Sequence, residues 1–464
     1  MDVESVMKRT EFRYVQMAGI MRTEILTGYL KPGEFLLPEK ELCEKYSISR
    51  NSLRQALELL HEEGLLVKMG GRGNMVAHDI RRDDPDENTL VVLSPYPSAF
   101  AERGLPLLTS MFKEHYPNVN VKLMNTSHQF DAILRDLDGI VKPDIVMGWD
   151  RHFNQMGEQE FIPVDDLLHE TAEDIHPKIE KAFEKDGAYY AVPVTFSPIF
   201  LACNDQLFRA SGAEWPAREW SLNQFAEAAK KMTQDTNGDG LNDIYGIGMS
   251  SSLWRWPVFA LKHGYRFGFD RDVNISAQRL TEALSFMQNL IYRDRVCLVT
   301  GISDPSFLNE MFMEGRIGMM LTSTLATDMK RSKFPVQIAP LPRRDDNPCG
   351  SLLIANGLMI SRRSRKTDLA KLFLRFALRP DFQQKLADET GFLSVFSSVN
   401  QKVWPLDRLK AMGAGFEDLE VSAFIHELIP SPAKSGKLES QMKKFWAGME
   451  SPAVMAAKIL KNLE

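Results

Sequence analysis

The sequence predicts a multidomain chain, with a small N-terminal part that is mostly α-helical with a short β-hairpin and a larger part of α/β class. Three observations support this division. Residues 1–77 contain an amphipathic helix that precedes a glycine-rich hairpin. Residues 78–89 are charged and poor in apolar side chains, which is typical of an exposed linker. Over residues 90–464, short apolar strands alternate with helical segments.

The most informative element is a helix predicted to begin at Arg50. Ser49 has a side chain that can cap its first turn. Leu53, Leu57 and Leu60 repeat at i, i+4 and i+7, which predicts one buried face. Gly64 is placed where a glycine commonly ends a helix. These features together predict a helix with an apolar side and a polar side.

The polar side of this helix carries side chains suited to DNA. Arg50, Arg54 and Gln55 lie opposite the leucines, where a helix in a major groove would present donors to base edges. Two predicted strands then flank residues 70–73, a Gly-Gly-Arg-Gly tip that would let the backbone and Arg72 approach phosphates or a minor groove. Charged residues opposite a leucine stripe are also the usual composition of a solvated face. The spacing of helix, turn, helix and hairpin favours DNA binding.

Residues 10–77 resemble the winged helix-turn-helix of the GntR family of bacterial regulators, with the order of motifs intact. The resemblance implies DNA contacts from a basic residue in the second helix, from arginines and hydroxyls of the recognition helix, and from the wing. The matching positions here are Lys40, Ser49, Arg50, Ser52, Arg54, Gly71, Arg72 and Gly73. Lys40 stands where the family usually has arginine, so this position offers a point charge in place of a guanidinium fork.

Composition places the chain among ordinary soluble globular proteins. It has 464 residues, of which 44% are hydrophobic and 25% charged, and a formal net charge of −6, so DNA binding would depend on a local basic patch. The N-terminal residues include acidic side chains and no apolar export segment, and no stretch predicts a membrane span. The four cysteines are widely separated, as expected of reduced thiols. We therefore expect a cytoplasmic protein without a membrane partner.

Beyond the linker, the chain resembles the extracellular solute-binding proteins of sugar ABC importers, the group that includes maltose-binding protein. The resemblance covers nearly all of residues 90–464 and rests on the order and spacing of several segments. These segments are 143–151, 161–168, 186–232, 256–267, 311–320 and 357–378. The resemblance implies a two-lobed α/β fold of the type II periplasmic-binding-protein class, in which hinge strands join lobes that close over a ligand.

Aromatic and planar polar side chains at strand ends are the expected ligand contacts of such a fold. The candidates are Tyr96, Trp149, Asp150, Arg151, Ser197 and Trp254. Asp150 and Arg151 match the acidic and basic pair with which the maltose-binding branch binds its sugar, although they could instead pair with each other across a surface turn. Trp149 could equally be a packing residue. Trp254 and Trp256 are two residues apart and do not share a helix face, so we assign Trp254 to the ligand site and Trp256 to the core.

Two positions argue against maltose as the ligand. Leu253 and Leu325 stand where the resemblance places sugar-contacting aromatic residues of the maltose-binding branch. The sequence therefore leaves open a different saccharide, a sugar acid or another small polar metabolite.

The segment 235–243 resembles the start of a calcium-binding loop. Its oxygen donors at loop positions 1, 3, 5 and 9 are Asp235, Asn237, Asp239 and Asp243, but the twelfth position is Gly246 in place of a bidentate glutamate. A weak Ca²⁺ site and a turn stabilised by its own Asp and Asn side chains both fit this pattern. No cofactor is required by either interpretation.

The sequence contains none of the common hydrolase, phosphate-loop or dinucleotide-binding motifs, so we do not expect an enzyme. The two parts together predict a ligand-responsive transcriptional regulator, with a repressor as the first expectation. It would bind operator DNA through the winged helix and a saccharide or related molecule through the solute-binding part. A homodimer would match paired half-sites. The alternative is a cytoplasmic solute-binding module linked to ABC-type carbohydrate transport.

Overall fold

The structure is a computed structural model of the chain. It describes residues 14–15, 17–22, 24–25, 30–46, 48–78, 88–126, 142–169, 174–216, 219–267, 273–301, 305–344, 350–429 and 431–463. The chain divides into two compact units. The first unit comprises Met1–Glu170, Phe183–Val192 and Gly357–Phe382, and the second comprises Thr171–Ala182, Pro193–Asn356 and Gln383–Glu464. Residues 79–87 of the predicted linker lie outside the described residues.

The N-terminal part of the first unit confirms the predicted order of helix, turn, helix and hairpin. Its elements are α1 (Glu39–Tyr46), α2 (Arg50–Glu62), β1 (Leu66–Met69) and β2 (Gly73–Val76). The described residues between 14 and 25 are also helical, and apolar side chains from this segment, α1, α2 and the hairpin share one core. β1 and β2 pair antiparallel, and Phe35 forms an isolated bridge with Met75 on the other edge of β2.

The rest of the first unit is α/β. Its elements are β3 (Thr89–Pro95), α3 (Leu105–His115), β4 (Asn120–Thr126), β5 (Ile145–Trp149), α4 (Asp150–Met156), α5 (Asp165–His169), β6 (Glu184–Lys185), β7 (Ala188–Tyr189) and α12 (Thr367–Ala377). β3 lies between β4 and β5 and is parallel to both, with Val92 opposite Leu123 on one side and Ile145 on the other. Parallel pairing confirms the α/β class that the strand-helix alternation predicted.

The second unit begins with α6 (Pro177–Glu180) and continues through most of the remaining elements. These are β8 (Val192–Pro198), β9 (Phe200–Asn204), α7 (Asp205–Ser211), α8 (Leu222–Met232), β10 (Tyr245–Ser250), α9 (Pro257–Lys262), α10 (Val273–Gln288), β11 (Cys297–Thr300), α11 (Pro305–Met313), β12 (Ile317–Thr322), β13 (Val336–Ala339), β14 (Leu352–Ile360), α13 (Pro380–Thr390), β15 (Leu393–Ser394), α14 (Ser397–Val403), α15 (Leu406–Met412), α16 (Phe416–Glu420), β16 (Ala423–Phe424), α17 (Ile425–Leu428), α18 (Pro432–Trp446) and α19 (Pro452–Leu463). The chain passes between the units within β8, β14 and α13.

The second unit is built on a mixed five-stranded sheet with the strand order β11-β10-β12-β9-β13. β10 is parallel to β11 and β12, whereas β9 is antiparallel to β12 and β13. A large apolar core includes the fully buried Trp256 and Leu253. The predicted core position of Trp256 is thereby confirmed. Within the described part of the chain, no helix is both long enough and apolar enough to cross a bilayer.

Candidate functional site

The recognition helix α2 is fixed at both ends by the residues that the sequence indicated. At its start, the Ser52 amide donates to Ser49 Oγ at 3.2 Å. At its end, Gly64 has a φ of +70°, and the Leu65 amide donates to the Leu60 carbonyl at 2.9 Å. Leu53 and Leu60 are fully buried. The predicted apolar face is therefore confirmed.

Most of the side chains predicted to contact DNA are exposed on this domain. These are Lys40, Ser49, Arg50, Arg54 and Arg72, with the backbone of Gly71 and Gly73 exposed beside them. Ser52 differs, because only 2% of it is exposed and its hydroxyl lies 2.9 Å from Ser49 Oγ. We therefore assign Ser52 to the N-terminal cap of α2 and not to the DNA-contacting set. The i, i+3 spacing from Ser49 was the sequence signal for this role.

Arg54 does not extend freely from the helix. Its Nε and Nη2 atoms donate to the two carboxylate oxygens of Glu39 on α1, at 3.1 and 3.0 Å. The hydrogen bond from Arg54 is the largest cause that lowers the pKa of the Glu39 carboxyl, and the positive charges of Arg54, Arg50 and Lys68 lower it further. Glu39 thus lies within a cluster of three cationic side chains on an otherwise balanced domain. Such a cluster is the local basic patch that DNA binding would require.

The wing is held to the recognition helix by His61. One ring nitrogen, Nδ1, lies 3.0 Å from the Leu66 carbonyl oxygen, and Nε2 lies 2.9 Å from Asn74 Oδ1, so the imidazole bonds both strands. At the tip, Met69 pairs with Gly73, and both Gly71 and Gly73 have positive φ angles of +74° and +97°. A side chain at either glycine would be strained in this backbone. The tip therefore presents Arg72 between two glycines without side chains, on a turn of fixed backbone conformation.

The candidate ligand residues in the first unit follow two strand ends, as predicted. Tyr96 comes directly after β3 and is half-buried, and its amide donates to the Thr126 carbonyl at 2.8 Å. Trp149 ends β5 and stacks on His152, with 4.7 Å between ring centroids and 16° between planes. Asp150 is fully buried at the start of α4, whereas Arg151 is partly exposed. Ligand contact by Asp150 and Arg151 and the alternative, a pair between the two residues, both stay predictions.

In the second unit, Ser197 has an internal structural role. Its hydroxyl donates to the Pro198 carbonyl at 2.8 Å and accepts from the Thr324 amide at 2.9 Å, and the residue is fully buried. Since its hydroxyl donates one hydrogen bond and accepts another within the protein, Ser197 positions the turn after β12 and is not itself a proposed ligand contact. Trp254 is half-buried and packs against the core of this unit.

Sequence reasoning missed Arg255, which lies between the two tryptophans that it considered. Arg255 Nη1 donates to the Trp254 carbonyl oxygen at 3.0 Å, and Nη2 lies 3.5 Å from Ser323 Oγ. Burial lowers the pKa of the Arg255 guanidinium to about 10. Thr324, the next residue after Ser323, is 1% exposed and its hydroxyl has no hydrogen-bond partner in the described part of the chain. An arginine in an apolar Leu-Trp-Arg-Trp-Pro segment was the available sequence signal.

The segment 235–243 forms a turn stabilised by its own side chains. Asp235 accepts from the amides of Gly238 and Gly240 at 2.7 and 2.8 Å, and Asp239 Oδ1 accepts from Leu241 at 2.8 Å. Asp243 accepts from the Thr236 amide at 2.8 Å. Among the described residues, no group of three or more His, Cys, Asp or Glu side chains is placed to hold a metal ion. This geometry fits the alternative of an Asx-stabilised turn, and Ca²⁺ binding by Asp235, Asn237, Asp239 and Asp243 stays an untested prediction.

Comparison with known proteins supports the DNA-binding assignment of the N-terminal domain. The family model of the bacterial regulatory proteins of the gntR family matches residues 13–76. The HTH-type transcriptional repressor NagR of Bacillus subtilis is 42% identical over 64 residues, which are 14% of this chain and 26% of that protein. The arabinose metabolism transcriptional repressor of Geobacillus stearothermophilus is 30% identical over 93 residues, 20% of this chain and 26% of that protein. The chain thus spans about a quarter of the length of these relatives.

The larger region matches a different family. The model for bacterial extracellular solute-binding proteins matches residues 90–384. The fold is shared with the ABC substrate-binding protein Lmo0181 of Listeria monocytogenes, solved in complex with cycloalternan, at a TM-score of 0.67 and 20% identity over 82% of this chain and 98% of that one. The chain belongs to the bacterial extracellular solute-binding protein family and carries, at its N-terminal end, a winged helix-turn-helix of the gntR type.

Proposed function

We propose that this protein is a cytoplasmic transcriptional regulator, in the first instance a repressor, whose operator affinity responds to a small polar ligand of the saccharide class. The observation that carries the proposal is the presence, in one chain, of a helix-turn-helix with two exposed arginines and a wing and of a solute-binding-protein fold. A DNA-binding domain gives such a fold a different use from delivery of solute to a transporter. No catalytic step is part of the proposal.

In the proposed DNA complex, α2 lies in the major groove. Arg50 and Arg54 are exposed on its polar face and have the fork geometry that pairs with guanine edges. Lys68 and Arg72 would contact phosphates from the wing, and these contacts carry affinity but little sequence information. Glu39 would hold the Arg54 fork in a fixed orientation before DNA arrives.

Two copies of this domain would be needed for a specific operator. A single winged helix contacts only a few base pairs, so we expect a homodimer that binds half-sites related by a dyad. Sedimentation of the protein bound to a selected operator duplex tests this expectation. A single protein chain per duplex would contradict the paired arrangement.

The regulatory step follows from linkage. A ligand alters operator affinity only to the extent that it binds the DNA-competent and DNA-incompetent states with different affinity. The candidate ligand side chains are Tyr96, Trp149, Asp150 and Arg151 in the first unit and Trp254 in the second. Replacing Trp254 by alanine should weaken or abolish thermal stabilisation by a saccharide that stabilises the wild type.

The experiment that tests DNA binding uses Arg50→Ala with Arg54→Ala in the full chain. Duplexes selected from random sequence by the wild-type protein serve as the probe, and fluorescence anisotropy measures affinity. A bidentate arginine contact contributes about 1–3 kcal/mol, so the double variant should bind its selected duplex at least about tenfold more weakly. The matched control is Arg293→Ala with Arg379→Ala, which removes two exposed, carboxylate-paired arginines from elsewhere on the chain.

Equal loss of binding in the control would mean that overall charge, and not α2, determines the affinity. Unchanged binding by Arg50→Ala with Arg54→Ala would reject α2 as the DNA-binding element. A wild-type protein that selects no sequence from random duplexes would reject the regulator and leave the transport-linked binding module as the better hypothesis.

A further inference from the structure

We propose that the ligand carries an oxyanion, a carboxylate or a phosphate, and that Arg255 binds this group together with the hydroxyls of Ser323 and Thr324. The inference rests on the proposed function, because it names the chemical class of the ligand that the regulator would sense. All three residues belong to the second unit.

The guanidinium of Arg255 has few hydrogen-bond partners within the described part of the chain. A guanidinium has five N–H donors. Arg255 uses one for the Trp254 carbonyl oxygen at 3.0 Å and directs another to Ser323 Oγ at the long distance of 3.5 Å. No carboxylate in the described part of the chain forms an ion pair with it, and desolvation alone accounts for its lowered pKa.

Other arginines of the same unit form ion pairs with carboxylates. Four of them have a carboxylate oxygen within 2.9 Å of a guanidinium nitrogen. The pairs are Arg209 with Asp205, Arg293 with Asp294, Arg343 with Glu219 and Arg344 with Glu282. A desolvated cation without a counter-ion is costly, so a protein that keeps one commonly gains the missing charge from elsewhere. An anionic ligand supplies that charge.

The turn that follows β12 carries the hydroxyl groups of Ser323 and Thr324. Thr324 has a buried hydroxyl without a hydrogen-bond partner among the described residues, and Ser323, whose Oγ lies 3.5 Å from Arg255 Nη2, precedes it. Ser197 fixes the turn by accepting from the Thr324 amide at 2.9 Å. An unsatisfied buried hydroxyl is itself unfavourable. The turn therefore places the Ser323 hydroxyl beside the guanidinium and carries an unsatisfied hydroxyl at the next residue, on a segment that a buried serine holds in place.

The side chain of Arg255 is accessible to a ligand. Arg255 is partly exposed, in contrast to its fully buried neighbours Leu253 and Trp256. A ligand can therefore reach the guanidinium of Arg255. A planar guanidinium fork pairs with two oxygens of a carboxylate or phosphate at once, and hydroxyls add further donors. Sugar acids and sugar phosphates both provide such oxygens, and a neutral sugar does not.

Inorganic sulfate tests the anion site independently of the sugar. The thermal midpoint of the full chain is measured in millimolar sulfate against chloride of equal ionic strength, for the wild type, Arg255→Met and Arg344→Met. Sulfate should raise the midpoint of the wild type and of Arg344→Met by about 3 °C or more at saturation, and should leave Arg255→Met unchanged. The Arg344→Met control loses a guanidinium that Glu282 already neutralises.

The ligand-free midpoints give a second readout. Removing an uncompensated charge should leave the midpoint of Arg255→Met at or above that of the wild type. Loss of Arg344, whose pair with Glu282 is 39% exposed on both sides, should change the midpoint little. Arg255→Lys keeps the charge without the fork and should retain part of the sulfate effect, which guards against a folding defect in Arg255→Met. A lower ligand-free midpoint for Arg255→Met, without sulfate protection of the wild type, would overturn the inference by making Arg255 a structural residue.

Titrations with glucose, glucuronate and glucose 6-phosphate, and with the corresponding galactose series, then separate the sources of the anion. We expect the acid or the phosphate to bind the wild type at least about tenfold more tightly than the neutral sugar and to lose that advantage in Arg255→Met. A neutral sugar that binds both proteins equally would overturn the anion inference and leave the proposed sensor intact. Sulfate protection through Arg255 with no saccharide bound would retain the anion site and reject the saccharide class.

Discussion

Glu39 is the residue that holds the Arg54 guanidinium in the structure. Its carboxylate accepts from two nitrogens of Arg54 and lies near the positive charges of Arg50 and Lys68. A phosphate approaching this cluster meets both the cations and the carboxylate between them. Glu39 therefore lowers the general attraction of the patch for DNA while it orients one guanidinium, and the two effects can be separated by substitution.

Glu39→Gln should raise non-specific affinity and lower sequence discrimination. The amide removes one negative charge from the patch, and it no longer holds Arg54 with a charge-assisted pair. Anisotropy with a selected duplex and with a scrambled one, over a range of salt concentration, measures both quantities. We expect about a 1.4-fold to fivefold fall in the ratio of specific to non-specific affinity, since an exposed pair contributes about 0.2–1 kcal/mol. An unchanged ratio would mean that Arg54 is oriented by the DNA itself.

His263 illustrates a different residue-scale effect, the coupling of burial to pH. Burial lowers the pKa of its imidazole, and its Nδ1 lies 2.7 Å from the Phe259 carbonyl oxygen at the end of α9. Because the unfolded chain takes up the proton near the ordinary pKa of about 6.5 and the folded chain only at lower pH, the free energy of unfolding should fall as pH drops below about 6.5. The contribution is fully present above that pH.

His263→Asn should therefore reduce the acid sensitivity of folding. The asparagine amide can replace the Nδ1 donor, and it does not titrate. Thermal midpoints at pH 7.5 and pH 5.5 check this, and the drop between the two should be smaller in His263→Asn than in the wild type. His176, whose pKa is also lowered by burial, should remain as a second source of the drop in both proteins. An equal drop in the two proteins would show that His263 does not contribute.

At the scale of the element, the N-terminal cap of α2 stabilises the helix that is proposed to bind DNA. Ser49 Oγ accepts the Ser52 amide and faces the Ser52 hydroxyl, and Ser49 is itself exposed beside Arg50. Ser49→Ala should destabilise the domain by about 1 kcal/mol through loss of the cap. Ser49→Asp keeps a capping oxygen but adds a negative charge at the DNA face.

The two variants should therefore behave differently. Ser49→Ala should lower the thermal midpoint of the N-terminal domain and weaken DNA binding moderately, whereas Ser49→Asp should keep the midpoint and weaken DNA binding more strongly. Calorimetry of the full chain and anisotropy with the selected duplex provide the two measurements. If Ser49→Asp bound DNA as tightly as the wild type, the start of α2 would lie away from the phosphates.

Local elements of this chain were predictable from the sequence, and the side chains that surround Arg255 were not. The cap at Ser49, the positive φ at Gly64 and the glycine tip of the wing all depend on residues within a few positions of each other, and the structure has them as predicted. Arg255 lies close to Ser323, which is distant in sequence. The two residues follow β10 and β12, and the pairing of these strands brings them together. No periodicity of the sequence carries that information.

Ser52 and Ser197 show the same limit for single polar residues. The type of side chain suggested a ligand or DNA contact for both, but Ser52 completes a helix cap and Ser197 holds the turn at Thr324. Hydroxyls serve binding and structure equally well, so only burial and partners distinguish the two uses. For Trp256, in contrast, the two-residue spacing from Trp254 led to the assignment of Trp256 to the core, where the structure has it.

At the scale of the whole molecule, the family of each part is clear while their coupling is a proposal that thermodynamics makes testable. The winged helix and the solute-binding fold are joined in one chain, and the chain passes between the two units of the larger fold within β8, β14 and α13. Ligand contacts assigned to either unit thus lie on a chain that is continuous with the DNA-binding domain. Coupling between the two parts is measured by the effect of ligand on operator affinity and by the effect of operator on ligand affinity.

Reciprocity gives the sharpest prediction for the coupled protein. If the saccharide acid or phosphate that stabilises the protein weakens operator binding tenfold, saturating operator must weaken binding of that compound tenfold, because both changes are the same coupling free energy of about 1.4 kcal/mol. Isothermal titration of the compound, with and without the selected duplex, measures one side, and anisotropy measures the other. In the variant Arg50→Ala with Arg54→Ala, added duplex should no longer change the affinity of the protein for the compound. Compound affinity that is identical with and without bound operator would mean that the solute-binding fold and the winged helix act independently, because a ligand that binds both states equally cannot shift the equilibrium between them.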